Sequence, residues 1–159
     1  MRLVVADTSP LVYLILIDHI EIVPRLFEVI LVPDSVHAEL LSPSAPAVIQ
    51  HWARNLPPWV EINKGLTLPD DAALQALGAG ERSAIALAIS IRADLVLIDE
   101  RKGTQVAIER GLNATGTLGI LQQAGRRGML NLAEAFDRLK RTNFRYRQEI
   151  MDDLLREQS

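Results

Sequence analysis

Of the acidic side chains in this chain, those at four places could do chemistry, and three of these places lie among residues that otherwise read as core. Asp7 follows the apolar run "RLVVA". Glu39 lies within "VHAELL", Glu81 opens "GERSAIALA", and Asp99 with Glu100 follows "LVLI" in "LVLIDERKG". A carboxylate in apolar surroundings is costly unless it gains a cation, hydrogen bonds or a raised pKa. Several converging carboxylates also repel one another, and a hard divalent cation relieves both costs. Mg²⁺ and Mn²⁺ take oxygen ligands, and Mg²⁺ keeps several of its waters. Such an ion can orient a phosphodiester, stabilise charge on its oxygens and lower the pKa of a water. Each acid alone has a plainer role. Asp7 could cap a helix, and Glu39 could be an exposed helix residue. Glu81 could answer the helix dipole, and Asp99 could pair with Arg101 or Lys102 or cap a helix. Only as a set do these acids point to chemistry.

The elements that must position these acids alternate along the chain. Residues 2–6 read as a short buried strand, followed by a helix with Pro10 in its first turn. A short helix lies around "IEIVPRLF", a strand at 29–33, and a helix from Pro33–Ser35 that carries Glu39. "SPSAP" is a turn, "AVIQHWARN" a helix and "WVEI" a short edge strand. Residues 63–70 read as loop and "DDAALQAL" as a short helix. "GAGE" reads as a break that launches the Glu81 helix. Residues 95–99 form a strand, "TQVAIER" a helix and "NAT" a short strand. "GTLGILQQAGRRG" is a further helix, and "NLAEAFDRLKR" and "FRYRQEIMDDLLRE" read as terminal helices. Strands alternating with helices give an α/β domain with a mainly parallel sheet. Right-handed crossovers then bring the strand C-terminal ends to one edge, where Asp7 and Asp99 would lie side by side.

Composition narrows the remaining classes. The 159 residues suffice for one domain, and no apolar run reaches the roughly 20 residues of a membrane span. The chain has no cysteine, which excludes disulfides, thiolate zinc sites and cysteine nucleophiles. No basic leader precedes the first apolar run, so the reading is cytoplasmic and membrane-free. The net charge of −3 is not the global signature of a nucleic-acid binder, although arginines and a lysine crowd residues 126–147. His19, His37 and His51 lack metal-ligand spacing, and Ser9 lacks a nucleophile-elbow context. "GAGERS" follows a helix rather than a strand, unlike a phosphate loop.

The segments "VVADTSPLVYL", "VPDSVHAEL", "LGAGERSAIALAI", "ADLVLIDERKGTQVAIERGL" and "GTLGILQQAGRRGML" resemble, in the same order, those of PIN-domain proteins. The likeness is to the short prokaryotic branch related to VapC-type toxins, and it spans about residues 3–130. It implies a PIN-like α/β/α sandwich with a central, mainly parallel sheet, here a single domain over 1–159 with C-terminal helices at about 131–157. It also implies Mg²⁺ or Mn²⁺ held by Asp7, Glu39, Glu81 and Asp99, with Glu100 as the neighbouring alternative to Asp99. Thr8 or Ser9 would hydrogen-bond a metal water or phosphate, or cap the first helix. Arg82, Arg101 and Lys102 stand beside the acidic motifs as RNA-backbone candidates. Glu81 falls where many members have Asp, and the usual Thr or Ser two residues before the fourth acid falls on Leu97 or Ile98. The implied activity is a metal-dependent endoribonuclease, the toxin of a type II toxin–antitoxin pair, with an RNA substrate, a cognate antitoxin and a homodimeric state. The alternatives are a non-catalytic PIN-like RNA- or protein-binding module and a structure-specific DNA nuclease.

Overall fold

A computed structural model describes residues 2–158. Its centre is a five-stranded, all-parallel sheet in the order β3-β2-β1-β4-β5. The strands are β1 (Val4–Ala6), β2 (Ile30–Pro33), β3 (Val60–Asn63), β4 (Leu95–Leu97) and β5 (Ala114–Thr115). β1 and β4 are central and buried on both faces, which is why they read as unbroken apolar runs. β3 is the edge strand expected of "WVEI".

The pleat sorts side chains between two helical layers. Val4, Ala6, Leu95 and Leu97 join the larger core with α1 (Thr8–Leu16), α2 (Ile22–Phe27), α3 (Asp34–Leu40), α4 (Ala47–Arg54) and three later helices. Val5, Val96 and Ile98 face the smaller core with α5 (Ala72–Gln75), α6 (Ala79–Ile91) and α7 (Arg101–Glu109). The later helices on the first face are α8 (Thr117–Arg126), α9 (Leu132–Lys140) and α10 (Gln148–Arg156). Leu132, Phe136, Leu139 and Met151 tie α9 and α10 into the same core as β1. The result is the α/β/α sandwich expected from the alternation of elements.

Two local readings need correction, and a third is placed more finely. The last helix begins at Gln148, so "FRYR" is extended chain between α9 and α10 rather than helix. The break read at "GAGE" is present, and it falls before Gly80. α6 starts at Ala79 with Gly78 as its N-cap, and Gly80 sits inside the first turn. Thr8 and Ser9 do not cap α1. Asp7 occupies the N-cap position, its side chain makes no cap bond, and both hydroxyls reach instead to acids from distant elements.

The strand order reverses direction at β1. Strands β2 and β3 lie to one side of it, and β4 and β5 to the other. Such a switch point opens a crevice at the strand C-terminal ends, and there α/β sheets bind ligands. β1 and β4 flank it.

Candidate functional site

β1 and β4 pair with Ala6 opposite Leu97. The Asp7 N–H donates to the Leu97 carbonyl at 2.9 Å, which carries the ladder past the strand end. Asp7 and Asp99 therefore emerge together, and the pleat sends them different ways. Asp7 shares the parity of Val5 and turns toward α6, whereas Asp99 shares the parity of Leu97 and turns toward α1 and α8.

Asp99 is held by three donors. The Thr117 N–H donates to Oδ1 at 2.7 Å, while the Thr117 hydroxyl at 2.7 Å and the Ser9 hydroxyl at 3.0 Å donate to Oδ2. Thr117 opens α8 and is fully buried. Asp99 thus satisfies a first-turn amide of α8 while its carboxylate stays fixed at the crevice. Even the approach of α8 is fitted to it, since a Cβ on Gly116 would meet Oδ1 at 2.5 Å. No ion pair joins Asp99 to Arg101 or Lys102 among the described residues. Glu100 has a different duty. Its Oε2 accepts the Gly103 N–H at 2.6 Å and caps α7.

Asp7 is the opposite case. It is only 3% exposed, and its Oδ1 is buried with no hydrogen-bond partner. Burial pushes its carboxyl up to about 7, and the charges of Glu81, Glu39 and Asp99 add to the rise, against a lowering by the Thr8 amide. Gly80 leaves room for it. A Cβ there would stand 2.9 Å from Asp7 Oδ1 and 2.7 Å from Glu39 Oε1, so those two oxygens share the space a side chain would fill. Glu39 is exposed on α3, and the Thr8 hydroxyl donates to its Oε2 at 2.7 Å. Glu81, three residues past the Gly78 cap, folds back with Oε2 only 2.6 Å from where a Gly78 Cβ would be.

These groups open on two adjoining hollows. One of about 270 Å³ is lined by Asp7, Thr8, Ser9, Tyr13, Glu39 and Glu81. The next, about 410 Å³, is lined by Asp7, Glu81, Asp99 and Glu100, and by Asn143–Arg145 on its far wall. Burial, and then Asp99, push the Tyr13 phenol up, while Arg145 pulls it down, so Tyr13 feels both walls. Arg82 is half-buried on α6 with an unpartnered Nε, whereas Arg101 and Lys102 are exposed on the first turn of α7. His37 is occupied elsewhere, its ring bonded to the Ala53 carbonyl.

A family model described as a PIN domain matches residues 3–159. The chain belongs to the PIN-domain family. The match runs through the C-terminal helices, past the point near residue 130 where the motifs stop. Comparison with curated proteins gives no match. PIN domains are generally nucleases and typically use divalent metals.

The donor set of this PIN domain suits a hard cation. All its donors are oxygens, Asp7 carries a buried acceptor with no donor, and its neighbours repel it. Among the described residues, no three acids or histidines are already gathered into a finished cage. Glu39 is drawn to Thr8, Glu81 to the α6 cap and Asp99 to α8. Two residues that the motif reading passes over matter to this geometry. Thr117 supplies the hydroxyl that Leu97 and Ile98 lack, and its signal was the hydroxyl opening the helix at "GTLG". Gly80 supplies the space, and its signal was a glycine inside an otherwise helical run.

Proposed function

We propose that this PIN domain is a divalent-cation-dependent endoribonuclease, acting in the cytoplasm as the toxin of a type II toxin–antitoxin pair. The observation that carries the reading is Asp7 Oδ1, buried and unpartnered at the switch point among Glu39, Glu81 and Asp99. These four acids would hold Mg²⁺ or Mn²⁺, which when bound would activate a water and stabilise charge on the phosphodiester oxygens. The chain's own residues do the positioning. Ser9 and Thr117 fix Asp99, Thr8 steers Glu39, and Glu100 starts α7 so that Arg101 and Lys102 stand exposed at the rim. Arg101 and Lys102 meet RNA phosphates, and Arg82 stands behind Glu81 as a third candidate. A homodimer and a cognate antitoxin belong to the same reading, and exposed Val48 and Leu68 offer apolar contact area.

The test is a cleavage assay on a panel of structured RNAs with Mg²⁺ or Mn²⁺. Cleavage is expected with the native chain and a loss of at least about a hundredfold with Asp7→Asn. Undiminished cleavage by the variant contradicts the site. No cleavage by the native chain favours a non-catalytic module, and cutting confined to branched DNA favours a DNA nuclease. Growth arrest on expression, relieved by the product of the adjacent reading frame, is the expected sign of a toxin. Light scattering reads the dimer.

A further inference from the structure

The segment between α9 and α10 is anchored beside the acids. The Tyr13 hydroxyl donates to Asn143 Oδ1 at 2.9 Å, and the Tyr13 ring packs edge-on against Phe144 with centroids 5.0 Å apart. The next residues, Arg145, Tyr146 and Arg147, border a cleft of about 630 Å³ that begins at Asp99 and passes between this segment and the first turn of α7. Gly116 and Gly119 line it without side chains.

The chemistry of that lining is uneven. It carries three guanidiniums, from Arg101, Arg145 and Arg147, and a single acid, Asp99, whose two oxygens are already engaged. Arg147 has an exposed ion pair with Glu149, while Arg101 and Arg145 have no carboxylate partner among the described residues. Tyr146 is 41% exposed, and its side chain makes no hydrogen bond among the described residues. The Lys140 ammonium lies 5.9 Å from its ring centroid. An exposed ring among cations, two of them without a carboxylate partner, is what a single-stranded nucleic acid needs, because unstacked bases lie on aromatic faces while phosphates meet the cations. A duplex cannot offer its bases in this way. The cleft also reaches Asp99, one of the four acids of the proposed cation site.

We propose that this cleft is a track for single-stranded RNA next to the acidic centre, with a base stacked on Tyr146 and phosphates held by Arg145 and Arg101. The track rests on the nuclease reading above, but it has its own test. Binding of a short fluorescein-labelled oligoribonucleotide to the full chain is followed by anisotropy, with Ca²⁺ in place of Mg²⁺. Tyr146→Ala weakens binding roughly tenfold, and Tyr146→Trp retains it. Arg145→Gln flattens the slope of log K against log salt by about 0.7. The duplex of the same sequence binds more weakly than the single strand. Unchanged binding by Tyr146→Ala overturns the track, and so does a polyglutamate peptide that binds as tightly as the RNA and is lost with the same variant. If Mg²⁺-dependent cleavage is present and Tyr146→Ala binds normally, the track alone fails. If binding depends on Tyr146 and no cleavage occurs, the track stands and the nuclease reading fails.

Discussion

At the scale of single residues, two aspartates at neighbouring strand ends have opposite surroundings. Asp99 is held by three donors, with one acceptor site of Oδ1 left open, whereas Oδ1 of Asp7 has none. The Asp7 carboxyl is raised from 3.8 to about 7, so its protonated form favours the fold. That contribution is complete below pH 3.8 and is lost as the pH rises through about 7. In the absence of divalent cations, Asp7→Asn is therefore expected to gain stability over the native chain as pH rises from 4 to 8. The gain is at most ~4 kcal/mol, and urea unfolding at both pH values reads it. A difference that does not grow with pH contradicts the account of Asp7. Thr117→Val keeps the amide bond to Asp99 and deletes the hydroxyl bond, at a cost of about 1–2 kcal/mol in the same assay. Asp7 and Asp99 were legible in the sequence because an acid ending an apolar β-branched run is conspicuous. Thr117 was not, since its partner is eighteen positions away and nothing local marks it. Thr8 and Ser9 misled for the same reason: capping is a local rule, and their partners come from other strands and helices.

At the scale of elements, α6 is placed by what its second residue lacks. Alanine at position 80 would improve helix propensity by about 1 kcal/mol. Its Cβ would also press on Asp7 Oδ1 and Glu39 Oε1, both within 3 Å. Glu39 is long and exposed and can yield, whereas Asp7 is short and buried and cannot. Gly80→Ala is thus expected to keep its thermal midpoint within a few degrees and to lose Mn²⁺-supported RNA cleavage by at least about tenfold. Cleavage unchanged in a folded variant would show that the space is not used. The sequence offered this glycine as a helix break because glycine ordinarily weakens a helix. The reason for it lies in α3 and β1, and only the packed molecule supplies that. Helix boundaries elsewhere were legible from capping and apolar periodicity. "FRYR" was not, because the helical pattern of "QEIMDDLLRE" was carried back across it, although its alternation suits extended chain, and its anchor, Tyr13, lies far off in sequence.

At the scale of the whole molecule, the fold is two cores divided by one parallel sheet, and the crevice is a consequence of strand order. The β1 and β4 runs made the sheet legible, and right-handed crossovers made legible the edge at which Asp7 and Asp99 emerge. The dependence on the C-terminal helices was less so, because α10 carries one fully buried residue, with Leu154 and Leu155 only partly buried beside it. Met151 is that residue, packed in the core shared with β1. Met151→Ala is expected to destabilise the chain by roughly 2–4 kcal/mol in urea unfolding, with a single cooperative transition. Loss of α10 alone in a separate early transition would show it to be an independent appendage.

The central claim is that Asp7 is a cation ligand. Calorimetric titration of Mn²⁺ into the native chain and into Asp7→Asn at pH 7.5 tests it most directly. Saturable binding is expected with release of only a fraction of a proton, since Asp7, with its carboxyl at about 7, is already mostly ionised at this pH, and no measurable binding is expected from the variant. Equal Mn²⁺ affinity in the two proteins would contradict it.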